Sequence, residues 1–371
     1  MKKILLLLAV ASALGGSSYA QVELSGEGSS YGLKSSRSTN QRVVNKGTAT
    51  FGWRFDLFID GKVTDNVFFL VNTRSVEEDY LYIDYAAIRI TNIAGPALNL
   101  QMGKFDMPFG NLEDRRFPTK NFLYGLPLIY EYRTSLPNQV ISRVDLLGAR
   151  GKGTGMRLLD MGIYDIGAMV YGDIGMLHYA VAGSDGTISS SANYQLNQNA
   201  DFNKILRLAL TPMMGLTIGA SAAMSAYLID GGKPLPRDET SDHYQQLIGE
   251  ADLEFARDML LFNGEAVYSQ WTVPFENADT KISVIGYYAE AKYTWFPRFY
   301  TAARVSGLIF SKLDLGGTNP RWDNNVFEVE AGIGVHIDRN VLVKLVRRET
   351  RTPEVTGTRD NLTVLQLAVA F

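Results

Sequence analysis

The sequence predicts an all-β fold: one transmembrane antiparallel β-barrel of about sixteen strands, with a long third outer loop folded toward the lumen. Three observations carry this reading. Apolar and polar residues alternate with period two along most of the chain. The links between those segments alternate short and long. No stretch after Leu14 approaches the roughly 18 apolar residues of a membrane-spanning helix.

The N-terminal residues read as an export signal. Lys2 and Lys3 precede the apolar run Ile4 to Leu14, and Ser18-Tyr19-Ala20 places small residues where a signal peptidase cleaves. Residues 1–20 are therefore expected to be a signal peptide, and 21–371 the barrel. Without Lys2 and Lys3 the formal charge moves from −3 to −5, which gives no reason to expect nucleic-acid binding. The chain has 0 Cys, so a disulfide framework, a thiolate metal site and a cysteine nucleophile are excluded. An exported chain without such staples must be held by its backbone pairing.

The alternation is clearest at 326–338. Phe327, Val329, Ala331, Ile333, Val335 and Ile337 fall on one face, and Glu328, Glu330, Gly332, Gly334, His336 and Asp338 on the other. The same division recurs at 53–60, 98–103, 246–255, 260–269 and 285–295. Few helical patterns exist to cover so many apolar faces, so lipid is the natural solvent for them. Trp53, Tyr268, Tyr293, Trp295 and Phe299 sit near segment ends, as interfacial aromatics do.

Strands are expected near 22–32, 47–60, 66–75, 80–92, 97–105, 161–171, 176–184, 204–211, 216–228, 244–256, 259–270, 282–295, 298–310, 326–338, 340–350 and 361–371. Residues 139–150 could pass for one more, but an odd count breaks the alternation of links, so they are assigned to the loop at 106–160. An even count brings both termini to one side and lets the first strand close on the last. The chain ends on an apolar strand whose last residue, Phe371, resembles the assembly signal read by the outer-membrane barrel-assembly machinery.

One motif points to a family. Gly103-Lys104-Phe105-Asp106-Met107-Pro108-Phe109-Gly110 ends a strand and opens the longest loop. Pro108 and Gly110 turn the chain, and Phe105 and Phe109 can pack that turn on the wall. The segment resembles a signature of the phosphate-selective porin O and P family. That resemblance implies a sixteen-stranded porin, usually a homotrimer, with the third loop in the lumen. Outer-membrane lipid and lipopolysaccharide are the surroundings expected of such a protein in a Gram-negative cell, and neither a cofactor nor enzymatic activity is expected.

A sixteen-stranded barrel leaves an aqueous channel, so lumen charge sets what passes. In the third loop Arg115, Arg116, Lys120, Arg133, Arg143, Arg150, Lys152 and Arg157 face only Glu131 and Asp145, an excess of +6 over residues 115–157. Such a constriction concentrates anions, and arginine suits bidentate phosphate or carboxylate contacts. Plain solvated or acid-paired loop charges are the competing reading. By alternation Glu250, Asp252, Glu254, Glu265, Glu290, Glu328 and Glu330 line one wall, and Arg54, Lys292, Arg304, Lys344 and Arg348 oppose them, which predicts a transverse field. Known phosphate binders of the family are lysine-rich at the constriction, whereas here only Lys120 and Lys152 are lysines. The expected function is passive diffusion of small hydrophilic solutes with a weak anion preference or no strong preference. A barrel sealed by its third loop, structural or adhesive, is the alternative, and an outer-membrane enzyme is a distant third. His178, His243 and His336 have no metal spacing, and no metal site is expected. Asp230 and Asp323-Asn324-Asn325 read as turns rather than calcium loops, and Gly151-Lys152-Gly153-Thr154-Gly155 as a flexible loop rather than a phosphate cradle.

Overall fold

The computed structural model describes residues 21–36, 49–76, 80–160, 164–189, 201–229, 235, 240–275, 278–314, 317–354 and 359–371. The expected signal peptide and Asp230 lie outside these residues, as does the link expected at Val76–Asp79 beyond Val76.

The strands are β1 (Gln21–Ser35), β2 (Ala49–Lys62), β3 (Val67–Val76), β4 (Tyr82–Ile90), β5 (Ile93–Pro96), β6 (Asn99–Asp106), β7 (Tyr164–Ile174), β8 (Leu177–Ser184), β9 (Asn203–Met213), β10 (Leu216–Ala226), β11 (Gln245–Arg257), β12 (Leu260–Phe275), β13 (Ala278–Phe296), β14 (Phe299–Phe310), β15 (Val326–Asp338), β16 (Val341–Arg351) and β17 (Arg359–Ala370). All but β5 form one closed antiparallel barrel of 16 strands, each bonded to its sequence neighbours, with β1 pairing β17. The expected strand count holds. β5 is a four-residue extension inside the turn from β4 to β6, which the alternation did not resolve.

Closure is made at the seam. Glu27 to Ser35 pair with Ala370 to Leu362, and Gly26 and Phe371 exchange both backbone hydrogen bonds, at 3.1 and 2.9 Å. No strand edge is left, so no row of unpaired amides invites another chain. The links at one end are tight turns, several with a residue at positive φ: Asn92, Gly175, Gly215, Asp258 and Arg298. Glycine and Asx residues tolerate that conformation at little cost. The other end carries the long loops.

The pleat then sorts the side chains. Outward positions are mostly apolar, with charged residues toward the strand ends: Leu24 is 61 % exposed, Phe51 82 %, Ile218 47 % and Leu365 56 %. Inward positions are polar on some strands and apolar on others. The apolar ones meet the loop between β6 and β7, which runs back along the inner face of the wall. Its Leu128, Ile129, Tyr130, Leu136, Leu146, Leu158 and Leu159 share a buried cluster with Ile205, Ile248, Val267, Trp271, Val284 and Phe310 of the strands. Residues 139–150 are not a strand. Arg143–Gly148 is a short helix whose N-cap Ser142 accepts from the Asp145 amide at 3.1 Å and donates to its carboxylate at 2.7 Å.

Candidate pore and constriction

The turn that opens the third loop explains the Gly103–Gly110 motif. Gly103 has φ 124°, and a Cβ there would lie 2.4 Å from the Ala86 carbonyl oxygen; Gly110 has φ 70°, and its Cβ would lie 2.5 Å from both Glu265 Oε1 and the Tyr130 hydroxyl. Only glycine fits either place. Phe105 and Phe109 are buried, and the Gly110 amide donates to Ser221 Oγ on β10 at 3.1 Å, so the turn is fastened across the lumen. Lys104 alternates with Phe105, turns away from the lumen, and donates to the Ile83 carbonyl at 2.8 Å.

Past that turn the loop is tied to strands β12 to β16. Tyr130 donates to the Glu265 carboxylate at 2.7 Å. Arg115 meets Glu290 at 2.6 Å, with its guanidinium 6.0 Å from the Tyr288 ring centroid. Lys344 donates to three loop carbonyls, Pro118 at 2.9, Asn121 at 2.7 and Leu123 at 2.9 Å, and Arg348 donates to that of Tyr124. Lys292 lies 5.8 and 5.5 Å from the ring centroids of Phe122 and Tyr300. A second fastening comes from the link between β14 and β15. Asp323 accepts from the Ser135 amide at 2.8 Å and the Gly151 amide at 3.1 Å, while Ser135 Oγ donates to the Trp322 carbonyl at 3.0 Å. Burial pushes the Asp323 carboxyl up to about 6, against the pull of those hydrogen bonds.

What the loop leaves open is a cleft of about 360 Å³ against strands β1 to β3, β16 and β17. Its lining is basic. Arg54, Arg74, Lys344 and Arg348 come from the strands, Arg116, Arg133 and Arg157 from the loop, and among the described residues the one lining acid is Glu131. Most of these cations are held from behind by carboxylates outside the lining. Arg54 binds Asp56 at 2.6 Å, Arg74 binds Asp84 at 3.2 Å, Arg157 binds Asp160 at 2.8 Å, and Arg116 binds Asp106. Burial and the neighbouring Arg157 hold Arg133 below the usual arginine range. Arg116 also stacks between Phe117 and Tyr164, 5.1 and 4.6 Å from their ring centroids. A second cavity of about 300 Å³ opens beneath the Met107–Gly110 turn, lined by Tyr171, Asp173, His178 and Arg207 among others. Arg116 lines both cavities.

The eight basic loop residues therefore separate. Arg116, Arg133 and Arg157 face the cleft, while Arg115 is consumed by Glu290. Arg143 lies over the Phe275 ring, 5.6 Å from its centroid. Arg150 donates to the Leu147 carbonyl at 3.1 Å, and Lys120, Arg150 and Lys152 are exposed. The lumen charges are inward as alternation required, with Glu254 half-buried. On β13 to β16 they are interleaved rather than segregated into opposing walls, which corrects the expected transverse field for that part of the lumen. Arg304 on β14 binds Glu290 at 3.3 Å and Glu330 at 2.6 Å, and Arg348 on β16 lies 3.6 Å from Glu328 and 3.2 Å from Glu330. From β13 to β16 acid and base alternate strand by strand, within ion-pairing reach of one another, whereas Glu250, Asp252, Glu265 and Glu290 gather acids on the three successive strands β11 to β13. Three further inward arginines stood outside the expected set. Arg74 lines the cleft, Arg89 donates to the buried Gln101 at 2.8 Å, and Arg207 binds Asp252 at 2.7 Å with Glu250 at 3.7 Å. Their places in the period-two pattern, Arg207 between outward Leu206 and Leu208, would have found them.

No protein-family model matches this sequence, and no curated protein matches it. Solved structures do match in fold. An anion-selective porin from Comamonas acidovorans superposes with a TM-score of 0.64 at 9 % identity, over 95 % of this chain and 100 % of that one. OmpT of Vibrio cholerae in its trimer form gives 0.60 at 10 % identity, over 95 % and 100 %. The outer membrane channel DcaP of Acinetobacter baumannii gives 0.60 at 11 % identity, over 95 % and 97 %. At such identities the likeness establishes the fold.

Proposed function

We propose that the protein is a passive diffusion pore of a bacterial outer membrane that admits small hydrophilic solutes and favours anions. The observation that carries this is the basic cleft beside the third loop, together with Arg116, which it shares with the cavity beneath. In this reading, water and small ions moving between the two ends of the barrel pass this guanidinium. The apolar exterior supports a membrane setting, since a surface of that composition is stable only in lipid. The fold likeness to an anion-selective porin, and the Gly103–Gly110 resemblance to porins O and P, support the same reading. A cleft lined by seven cations and one acid lowers the entry cost of an anion, although the carboxylates behind the guanidiniums keep the preference moderate. We further propose that the chain is exported, that Phe371 serves its assembly, and that it works as a homotrimer without catalytic activity.

The test is conductance of the purified protein in planar bilayers, with reversal potential measured under a salt gradient. The expected result is stable ohmic conductance and a reversal potential on the anion side. Arg116→Gln should move that potential toward zero. An insulating protein would favour the second reading, a barrel sealed by its third loop, for which the apolar packing of that loop on β9 to β15 speaks.

A further inference from the structure

The outside of the barrel carries a groove of about 440 Å³ at the seam, lined by Ser30, Gly32, Phe51, Trp53, Leu365 and Leu367 among others. Its origin lies in the pleat. The outward positions of β1 here are Gly28, Ser30 and Gly32, which raise almost nothing above the sheet. Their pairing partners raise Phe51, Trp53 and Phe55 on one side and Leu365, Leu367 and Val369 on the other. Side chains stand perpendicular to a sheet whose strands lie about 5 Å apart, so a bare strand between two apolar ones becomes a trough. Toward the short-turn end the trough is stopped by Phe371, whose ring would lie 2.6 Å from a Cβ on Gly26 and stacks on Phe55 at 6.4 Å.

Toward the long-loop end the trough runs out under basic side chains. Lys34 pairs with Thr363, and Thr363 pairs with Arg347. Inward Leu33, Leu362, Val364 and Arg348 flank these three, so all three face outward. Arg347 Nη1 donates to Thr363 Oγ1 at 2.6 Å. Among the described residues neither Lys34 nor Arg347 has an acidic partner, while the nearby outward acid Glu349 is taken by Arg351 at 2.7 Å. The two cations stand about 10 Å apart across two strand spacings, a distance that their long side chains close.

We propose that this groove seats an acyl chain of a phosphorylated membrane lipid, with the headgroup phosphate held by Lys34 and Arg347. The proposal rests on the membrane-spanning reading above. Charge complementarity selects this occupant. Docked about a twofold axis, a second copy of the chain would bring like-charged rims together with no acid to answer them, and the threefold assembly proposed above would have to present a different, acidic outer surface to this rim. Free phosphate would leave the apolar trough unexplained.

The test is native mass spectrometry of the detergent-purified full chain, titrated with a bisphosphorylated six-chain glycolipid, its dephosphorylated form and inorganic phosphate. The bisphosphorylated lipid should be retained most tightly. The double variant Lys34→Gln, Arg347→Gln should weaken it roughly 30-fold, at about a factor of five per cation, and leave the dephosphorylated form unchanged. Ser30→Leu, on the exposed floor of the trough, should weaken both lipids. Equal retention by the wild type and the double variant overturns the proposal, as does retention indifferent to Ser30→Leu, or phosphate competing away all bound lipid. Efficient cross-linking of a photoreactive probe carried on Ser30→Cys to another copy in membranes overturns it in favour of self-association. Conductance of the same variants separates the two readings. If lipid retention fails while conductance persists, the pore stands and the lipid site falls; if the wild type does not insert or conduct, the pore reading fails on its own evidence.

Discussion

The third loop meets two different walls. Against β9 to β15 it buries Ile129, Leu158 and their neighbours in a continuous apolar cluster, and no water-filled space needs to survive there. Against β1 to β3 it faces Ser29, Tyr31, Arg54 and Arg74, and a cleft remains. The same loop thus fills one side of the lumen and borders an open cleft on the other. The lesson is that bore in such a barrel depends on which inward positions are apolar, because those are where a loop can be packed at a profit in surface burial. The wall left polar is the one that would line the proposed channel.

The largest effect is expected from loosening the apolar side. Ile129 and Leu158 both reach the place where Gly286 has no side chain, within 2.6 and 2.9 Å of a Cβ built there. The double variant Ile129→Ala, Leu158→Ala should cost the loop about 4–8 kcal/mol of packing, somewhat less if the two sites share one cavity. Single-channel conductance should rise and become noisy, and the loop should become open to protease. Unchanged conductance would show that the apolar wall does not set the bore.

Next comes Lys344, which bonds three carbonyls of the 118–123 segment from the cleft side. Lys344→Met leaves those carbonyls without their shared donor and should cost on the order of 3–5 kcal/mol in the placement of that segment. The expected readout is a loss of anion preference accompanied by flickering current. A quiet channel with wild-type reversal potential would mean that the segment is held by Phe122 and Leu123 packing alone.

Asp323 sharpens the comparison by pH, because it fastens the loop on the sealed side. Its carboxyl lies near 6 in the folded clamp, above the usual aspartate value of about 4. The closed clamp therefore holds a proton that an open one releases. Its stability falls as pH rises from about 4 to about 6 and is level above that, with a total change on the order of 2–3 kcal/mol. Hydrogen exchange of the Ser135 and Gly151 amides should speed up across this window beyond the intrinsic effect of base, and Asp323→Asn should remove that excess. A protection that rises with pH would reverse the assignment.

Much of this was legible from residue order, and the division has a physical cause. Strand number and the inward direction of Glu250, Glu290, Arg304 and Glu330 follow from the pleat, whose period of two is local. The motif turn was legible because glycine and proline act on their own neighbours. What residue order withheld was pairing across the lumen. Tyr130 and Glu265 are 135 positions apart, and Lys344 and Asn121 are 223 apart. Nothing local distinguishes Arg115, consumed by Glu290, from Arg116, which faces the cleft, although they are adjacent. The interleaving of acids and bases was hidden for the same reason: it depends on register between strands, which links of variable length set.

The smallest effect concerns Lys120 and Lys152, the two lysines of the loop, both exposed. An exposed charge acts on a passing ion only within about a Debye length, near 8 Å at physiological salt and 3 Å at 1 M. Lys120→Gln with Lys152→Gln should therefore shift the reversal potential slightly at 0.01 M salt, where the screening length is about 30 Å, and not measurably at 1 M. Arg116→Gln should keep its effect at both, because its guanidinium sits between Phe117 and Tyr164 inside the bore and is little screened. If the lysine pair matters as much as Arg116 at 1 M salt, selection occurs at the loop surface rather than at the cleft, and the contrast between the two walls loses its functional meaning.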